Sequence, residues 1–272
     1  HERNAMSQYP DYEIYAIKYA HHMRQSPDNF LGGDSHDVPM PLDYFVWVIR
    51  NQKKVWVVDT GFSKEMAQQR GREFLRCPSE GLKMLNIDPT AVEDVIITHM
   101  HYDHAGNNHL FQRARYHLQD KEMIYATGRC MCHKVMRFPF DVQDVTAMVQ
   151  RVYEDRTCFH DGDEEIAPGL SLHHVGGHTM GLQVVRVHTQ RGWVVLASDA
   201  SHFYANMEQE RPFPLVYNVG DMMQGYQRAY ALASSAEHVI PGHDPLVLHR
   251  YPSPSDALKG IVARLDVAPI HP

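Results

Sequence analysis

The stretch that most constrains this chain is the apolar run Val95-Ile96-Ile97, which passes through Thr98 straight into His99-Met100-His101-Tyr102-Asp103-His104. A short apolar run bounded by turn signals reads as a strand buried on both faces, so His99 falls at the carboxyl end of a buried strand. A turn leaving such a strand can bring imidazoles two residues apart onto one ion, while Asp103 and His104 face a neighbouring position. Histidine is unusually abundant, at 20 of 272 residues. Even so, chance produces this HxHxDH pattern in about one such chain in a hundred. A solvated polar loop is the plain alternative. Two ions need more ligands than one segment offers. His178 in Gly176-Gly177-His178-Thr179, Asp199 in Ala197-Ser198-Asp199-Ala200 and His243 in Pro241-Gly242-His243-Asp244 each follow an expected strand.

The pattern around these positions sets the fold class. Alternating apolar and polar positions mark a strand over 12–19, and the runs 44–49 and 55–58 meet across 51–54 as a hairpin. Asp59-Thr60-Gly61 ends the second strand, and Ser63 is placed to cap a helix through 68 to about 75. Asp88-Pro89 reads as a cap with proline at the first helical position. Further strands are expected over 116–118, 170–175, 183–188, 193–197 and 238–240, with helices over 120–126, 142–152 and 222–233. Strands in both halves, each accompanied by helices, point to an α+β chain with two sheets face to face and helices outside. No linker, repeat or low-complexity tract divides it, so a single domain over 1–272 is expected. Residues 1–5, ahead of Met6, read as a tag remnant.

Composition narrows the function. The net charge is -7 and no Lys/Arg block occurs, which excludes the usual footprint for nucleic acid or an anionic membrane surface and leaves a small-molecule substrate as the expected partner. No window approaches the roughly 18 to 20 apolar residues of a membrane span, and the start is too polar for a secretory signal, so a cytoplasmic location is expected. Cys77, Cys130, Cys132 and Cys158 form no Cys-x-x-Cys pair and read as reduced thiols. The stretch 21–41, with Met23, Phe30 and Met40, reads as a loop, and its apolar groups, like Phe138, Phe140, Phe203 and Phe213, could line an acyl-chain pocket but are read first as core.

On the HxHxDH turn, Val58-Asp59-Thr60-Gly61 and the late Gly242-His243, the chain resembles the metallo-β-lactamase superfamily of hydrolases. The resemblance implies a four-layer αββα sandwich with metals at one edge of the sheets. It implies that His99, His101 and His178 hold one metal, that Asp103, His104 and His243 hold the second, and that Asp199 bridges both. Two divalent ions are implied, zinc first, with iron, manganese or cobalt compatible with the same donors. Hydrolysis by a metal-bridging hydroxide follows, with Asp103 moving the proton to the leaving group.

Asp199 stands where many true β-lactamases carry cysteine, and His101 where flavodiiron oxygen reductases carry glutamate. The stretch after His243 is short for the helical region with which glyoxalase II enzymes hold glutathione. Residues Thr98 to Asn107 and Ser198-Asp199-Ala200-Ser201 are similar to the N-acyl homoserine lactonases, which implies opening of a five-membered lactone ring. That family often has a tyrosine three residues after the bridging aspartate. This chain has His202, so His202 itself or Tyr204 is the expected donor to the substrate carbonyl. Hydrolysis of another ester, thioester or cyclic amide on the same centre, and a non-catalytic metal-binding module, are the alternatives.

Overall fold

The computed structural model describes residues 8–272, so the expected tag remnant at 1–5 lies outside the described residues. The chain opens with three antiparallel strands, β1 (Glu13–His22), β2 (Leu42–Arg50) and β3 (Val55–Val58). The β2–β3 hairpin closes where the Asn51 side chain accepts from the N–H groups of Lys53 and Lys54. Helix α1 (Lys64–Arg70) starts on Ser63, whose hydroxyl accepts from the Met66 N–H. It stops at Arg70, five residues before its expected end, because Gly71 adopts φ 70 and turns the chain out of the helix. The next residues instead form β4 (Glu73–Phe74), which pairs with β1. Helix α2 (Pro78–Met84) follows. Asp88-Pro89 seeds a single 3-10 turn, Pro89–Ala91, rather than an α-helix.

The remaining strands are β5 (Asp94–Ile96), β6 (Arg115–Gln119), β7 (Thr157–His160), β8 (Glu164–Ala167), β9 (Leu170–His174), β10 (Gln183–Thr189), β11 (Gly192–Ser198), β12 (Val239–Pro241) and β13 (Val262–Arg264). Between them run α3 (Asp120–Thr127), α4 (Lys134–Arg137), α5 (Val142–Tyr153), α6 (Tyr204–Glu208), α7 (Val219–Leu232) and α8 (Leu246–Arg250). The first sheet has the order β13-β1-β2-β3-β5-β6-β7, with β4 beside β1; the second has the order β12-β11-β10-β9-β8. Strands β3, β5, β6 and β7 are parallel, so their carboxyl ends share one edge.

The pleat divides the side chains of the first sheet between two cores. Ile14, Ala16, Trp47, Ile49 and Val58 pack with Leu172, Val185 and Leu196 of the second sheet. Tyr15, Ile17, Val46, Val48 and Val57 pack instead with Ala67 of α1, Leu82 of α2, Tyr125 of α3 and Met148 of α5. Met222, Tyr226 and Ala229 of α7 join the core of the second sheet. The layers are therefore helix, sheet, sheet, helix, as expected from the sequence. Each such side chain contributes about 1.5 to 3 kcal/mol on full burial. No helix among the described residues is long and apolar enough to cross a membrane.

One half-buried carboxyl works against this packing. Asp144 lies in the first turn of α5, and its carboxyl is pushed from 3.8 up to about 7, first by burial and then by Asp141, against the opposing pull of Arg70 and Arg151. The folded form keeps its proton longer than the unfolded chain, so this group lowers stability as pH rises from about 4 to 7. Asp144→Asn is expected to remove that slope and raise stability at pH 8 by about 1 to 2 kcal/mol after discounting for solvent screening. Urea midpoints at pH 5 and pH 8 check this; an unchanged difference between them contradicts it.

Candidate metal centre

Four connections meet at one edge of the sandwich: the turn after β5, the loop between β9 and β10, the end of β11 and the turn after β12. They deliver seven buried residues. His99, His101 and His178 form one group, with ring centroids 4.6 to 4.9 Å apart and a ring nitrogen of each within 4.8 Å of the others. Asp103, His104, Asp199 and His243 form a second group of the same spacing. Asp199 stands between the two. Its Oδ2 is 3.5 Å from His99 Nε2, 3.3 Å from His178 Nε2 and 3.2 Å from His104 Nε2, while its Oδ1 is 3.0 Å from His243 Nε2. The Oδ2 of Asp103 lies 3.2 Å from His104 Nε2 and 3.4 Å from His243 Nε2.

The rings are held from behind. Nδ1 of His178 donates to the Leu215 carbonyl at 2.7 Å and Nδ1 of His243 to the Asp43 carbonyl at 2.8 Å. Nδ1 of His104 donates to Asp59 Oδ2 at 2.6 Å, and Nδ1 of His99 faces Thr98 Oγ1 at 3.0 Å. An imidazole fixed through Nδ1 presents Nε2 to the cluster with its orientation set. The Nε2 atoms of His99 and His178 are buried and have no hydrogen-bond partner. Orphaned imidazole nitrogens converging with two carboxylates are what divalent cations with nitrogen and oxygen preference require, so the residues fit a pair of such ions.

The electrostatics agree. Burial, with the nearby His104, depresses His99 to about 3, and burial with His178 and His99 holds His101 well below its usual value, so both are neutral ligands. Burial works to raise Asp103 and Asp199, yet the adjacent imidazoles, His104 first, hold both well below the usual carboxylate range. Burial likewise works to lower His243, but Asp199 and Asp103 push it to about 9. The carboxylates thus draw positive charge into this space, and a divalent ion would displace the protons they hold there.

Two positioning groups were not assigned from the sequence. Asp59, at φ 60 just after β3, accepts from the Thr98 N–H and hydroxyl at 2.8 Å each as well as from His104. The only sequence signal for it was its place in the Val58 to Gly61 motif. Asp59→Ala is expected to weaken metal binding about 10- to 100-fold. Competition titration against a chromogenic chelator reads this; wild-type affinity contradicts it. Glu122 of α3, fully buried, accepts from the Met100 N–H at 2.8 Å and the Gly181 N–H at 3.2 Å, tying the HxHxDH turn to the loop that carries His178. In that loop Gly177 has φ 88, and a Cβ there would sit 2.7 Å from the Met222 Cα, so α7 presses directly on the backbone beside His178.

Of the two expected substrate donors, the structure brings one to the cluster. His202 lies with Nε2 3.4 Å from Asp199 Oδ2, its ring stacked on Phe213 at 3.5 Å and depressed to about 3 by burial despite Asp199. Tyr204 is elsewhere: it packs in the inter-sheet core under the Arg250 guanidinium, 3.9 Å from its ring, and does not line the cavity. That cavity, about 740 Å³, opens on His101, Asp103, His178, Asp199, His202 and His243. Met23 and Phe138, expected as core, stand largely exposed in its wall, while Phe213 is core as expected and also faces the cavity. Phe140 and Phe203 are core as expected. The sequence's Cys130 and Cys132 are free thiols on a 3-10 turn, apart from the histidine cluster.

The sequence model of the family described as the metallo-beta-lactamase superfamily matches residues 40–257. An N-acyl homoserine lactonase from Bacillus sp is 31% identical over 196 residues, 63% of this chain and 70% of that protein. The N-acyl homoserine lactonase of Bacillus thuringiensis is 32% identical over 133 residues, so the alignment spans about half of either chain, 48%. Among solved structures, an N-acyl homoserine lactone hydrolase with the product N-hexanoyl-L-homoserine at its catalytic metal centre superposes with a TM-score of 0.69 at 21% identity, covering 86% of this chain and 94% of that one. That last likeness is one of fold.

Proposed function

The chain belongs to the metallo-β-lactamase superfamily, and from that premise we propose that it is a dinuclear metal-dependent hydrolase that opens a small lactone ring of the N-acyl homoserine lactone type. The observation that carries this reading is the Asp199 carboxylate shared between the two ligand groups. His99, His101 and His178 would hold one ion and Asp103, His104 and His243 the other, with Asp199 between them. Two divalent ions so placed, zinc first among those the donors suit, supply a water of lowered pKa and polarise the ester carbonyl oxygen.

The chain's own groups do the rest. Asp103 keeps its carboxylate ionised at the cavity wall, where its Oδ2 can take the proton of the attacking water and return it to the leaving alkoxide oxygen. Its backbone is fixed by the Tyr19 hydroxyl, which donates to the Asp103 carbonyl at 2.8 Å. His202 is neutral, and its Nε2, which faces Asp199 Oδ2 at 3.4 Å, is the candidate donor to the bound carbonyl. Leu42, Phe213 and Leu215 turn apolar surface to the same cavity and limit bulk water around the ester.

The relatives named as N-acyl homoserine lactonases support the lactone over other esters. A pH-stat panel of acyl homoserine lactones, simple esters and thioesters, run with and without chelator, tests the choice. Ring opening that a chelator abolishes and added metal restores is expected. Turnover confined to esters or thioesters would overturn the lactone assignment, and no turnover of any would leave a metal-binding module.

A further inference from the structure

Beyond the ligand cluster, the wall of the same cavity carries more cationic than anionic side chains. Arg24, Arg72 and Lys134 line it, and Asp28 is the one carboxylate lining it apart from Asp103 and Asp199. The hydrogen bonds of the two guanidinium groups go to neutral acceptors. Arg24 donates to the Asp28 backbone carbonyl at 2.8 Å; Arg72 donates to the Tyr102 hydroxyl at 3.0 Å and the Arg70 carbonyl at 2.7 Å, and faces His22 Nε2 at 3.2 Å. His22 adds no compensating charge: burial, then Arg72 and Arg24, depress it to about 4, so it is neutral near pH 7. Both arginines are partly withdrawn from water. Asp28 and Asp103 act on Arg24 and Arg72 through space, yet neither guanidinium hydrogen-bonds a carboxylate side chain, so their planar donors remain open to a carboxylate or phosphate.

We propose that the substrate carries an anionic group, a carboxylate or a phosphate, on the part that extends from the reacting ester, and that Arg72 and Arg24 receive it with Lys134 at the mouth of the cavity. A neutral acyl chain would leave this side of the cavity unmatched. The apolar side chains Leu42, Phe213 and Leu215 then cover the segment joining the ester to the anion. The inference rests on the hydrolase reading for where the ester lies, and the anion site itself does not depend on which ester is cleaved.

The test is calorimetric titration of the metal-loaded protein with three ring-opened acyl homoserines of equal chain length, ending in a methyl, a carboxylate or a phosphate. All three share the carboxylate released by ring opening, so its binding cancels in the comparison. One of the anionic ligands is expected to bind at least about fivefold tighter than the neutral one, through a charge-assisted contact. Whichever of the two is tighter identifies the group. The preference is expected to shrink at least about threefold between roughly 0.05 M and 0.5 M salt, and in Arg72→Gln. A preference below about fivefold, or one insensitive to salt in the unmutated protein, overturns the proposal even if the variant does not fold. Turnover of the parent lactones is read separately: salt-sensitive anion binding without ring opening would refute the lactone chemistry and leave the anion site standing.

Discussion

Asp199→Ala is expected to lower kcat/KM by about a thousandfold or more and to reduce the metal held per chain. This carboxylate contacts Nε2 of His99, His104 and His178 through Oδ2 and that of His243 through Oδ1, all between 3.0 and 3.5 Å. Removing it leaves five imidazoles facing one another, with Asp103 the one remaining carboxylate of the cluster. The loss of a shared anionic ligand is worth about 4 kcal/mol or more of transition-state stabilisation, and each 1.36 kcal/mol is about tenfold in rate. Asp199→Asn separates charge from shape, because it keeps the volume and a neutral oxygen. Steady-state kinetics with metal analysis on the same preparation checks both variants. Full activity with two retained ions in the alanine variant would contradict the bridging role.

Stripping the metal is expected to lower the thermal midpoint by roughly 8 to 16 °C. The cluster lies in the interior, with Asp103 and Asp199 held ionised there. An ion present at about a thousand times its dissociation constant stabilises the folded state by about 4 kcal/mol, and a chain of this size shifts by about 2 to 4 °C per kcal/mol. Scanning calorimetry before and after dialysis against chelator reads the difference. Re-addition of zinc is expected to restore it, and a midpoint indifferent to chelator would argue that the cluster is stable without ions.

Much of this site was legible in the sequence because its signals are local. The HxHxDH turn is six consecutive residues on the end of a buried strand, and His178, Asp199 and His243 each follow a strand whose period announces it. The strands with clear alternation or long apolar runs were placed within two residues at each end, except that β1 runs on to His22, three residues past its expected end. Helix α2 was not, because it is seven residues with an internal glycine and no side-chain cap. The two-residue β4 and the late β13 are edge pairings decided by β1, not by their own pattern.

Tyr204 shows the limit of spacing arguments. It lies two residues from His202, but its N–H is captured by Asp244 Oδ2 at 3.0 Å as α6 begins, and its ring goes to the core while His202 goes to the cavity. The cavity wall was illegible for a related reason. Arg24, Arg72 and Lys134 come from three distant segments with no common pattern, and the topology alone brings them together. Glu122 was invisible likewise, since only the tertiary fold sets its carboxylate against the backbone of two ligand-bearing loops.

The most direct test of the dinuclear reading is elemental analysis of the purified protein after exhaustive buffer exchange. About two divalent ions per chain are expected, falling to about one or fewer in Asp199→Ala. Less than one ion per chain in a preparation that still opens lactones at full rate would contradict it.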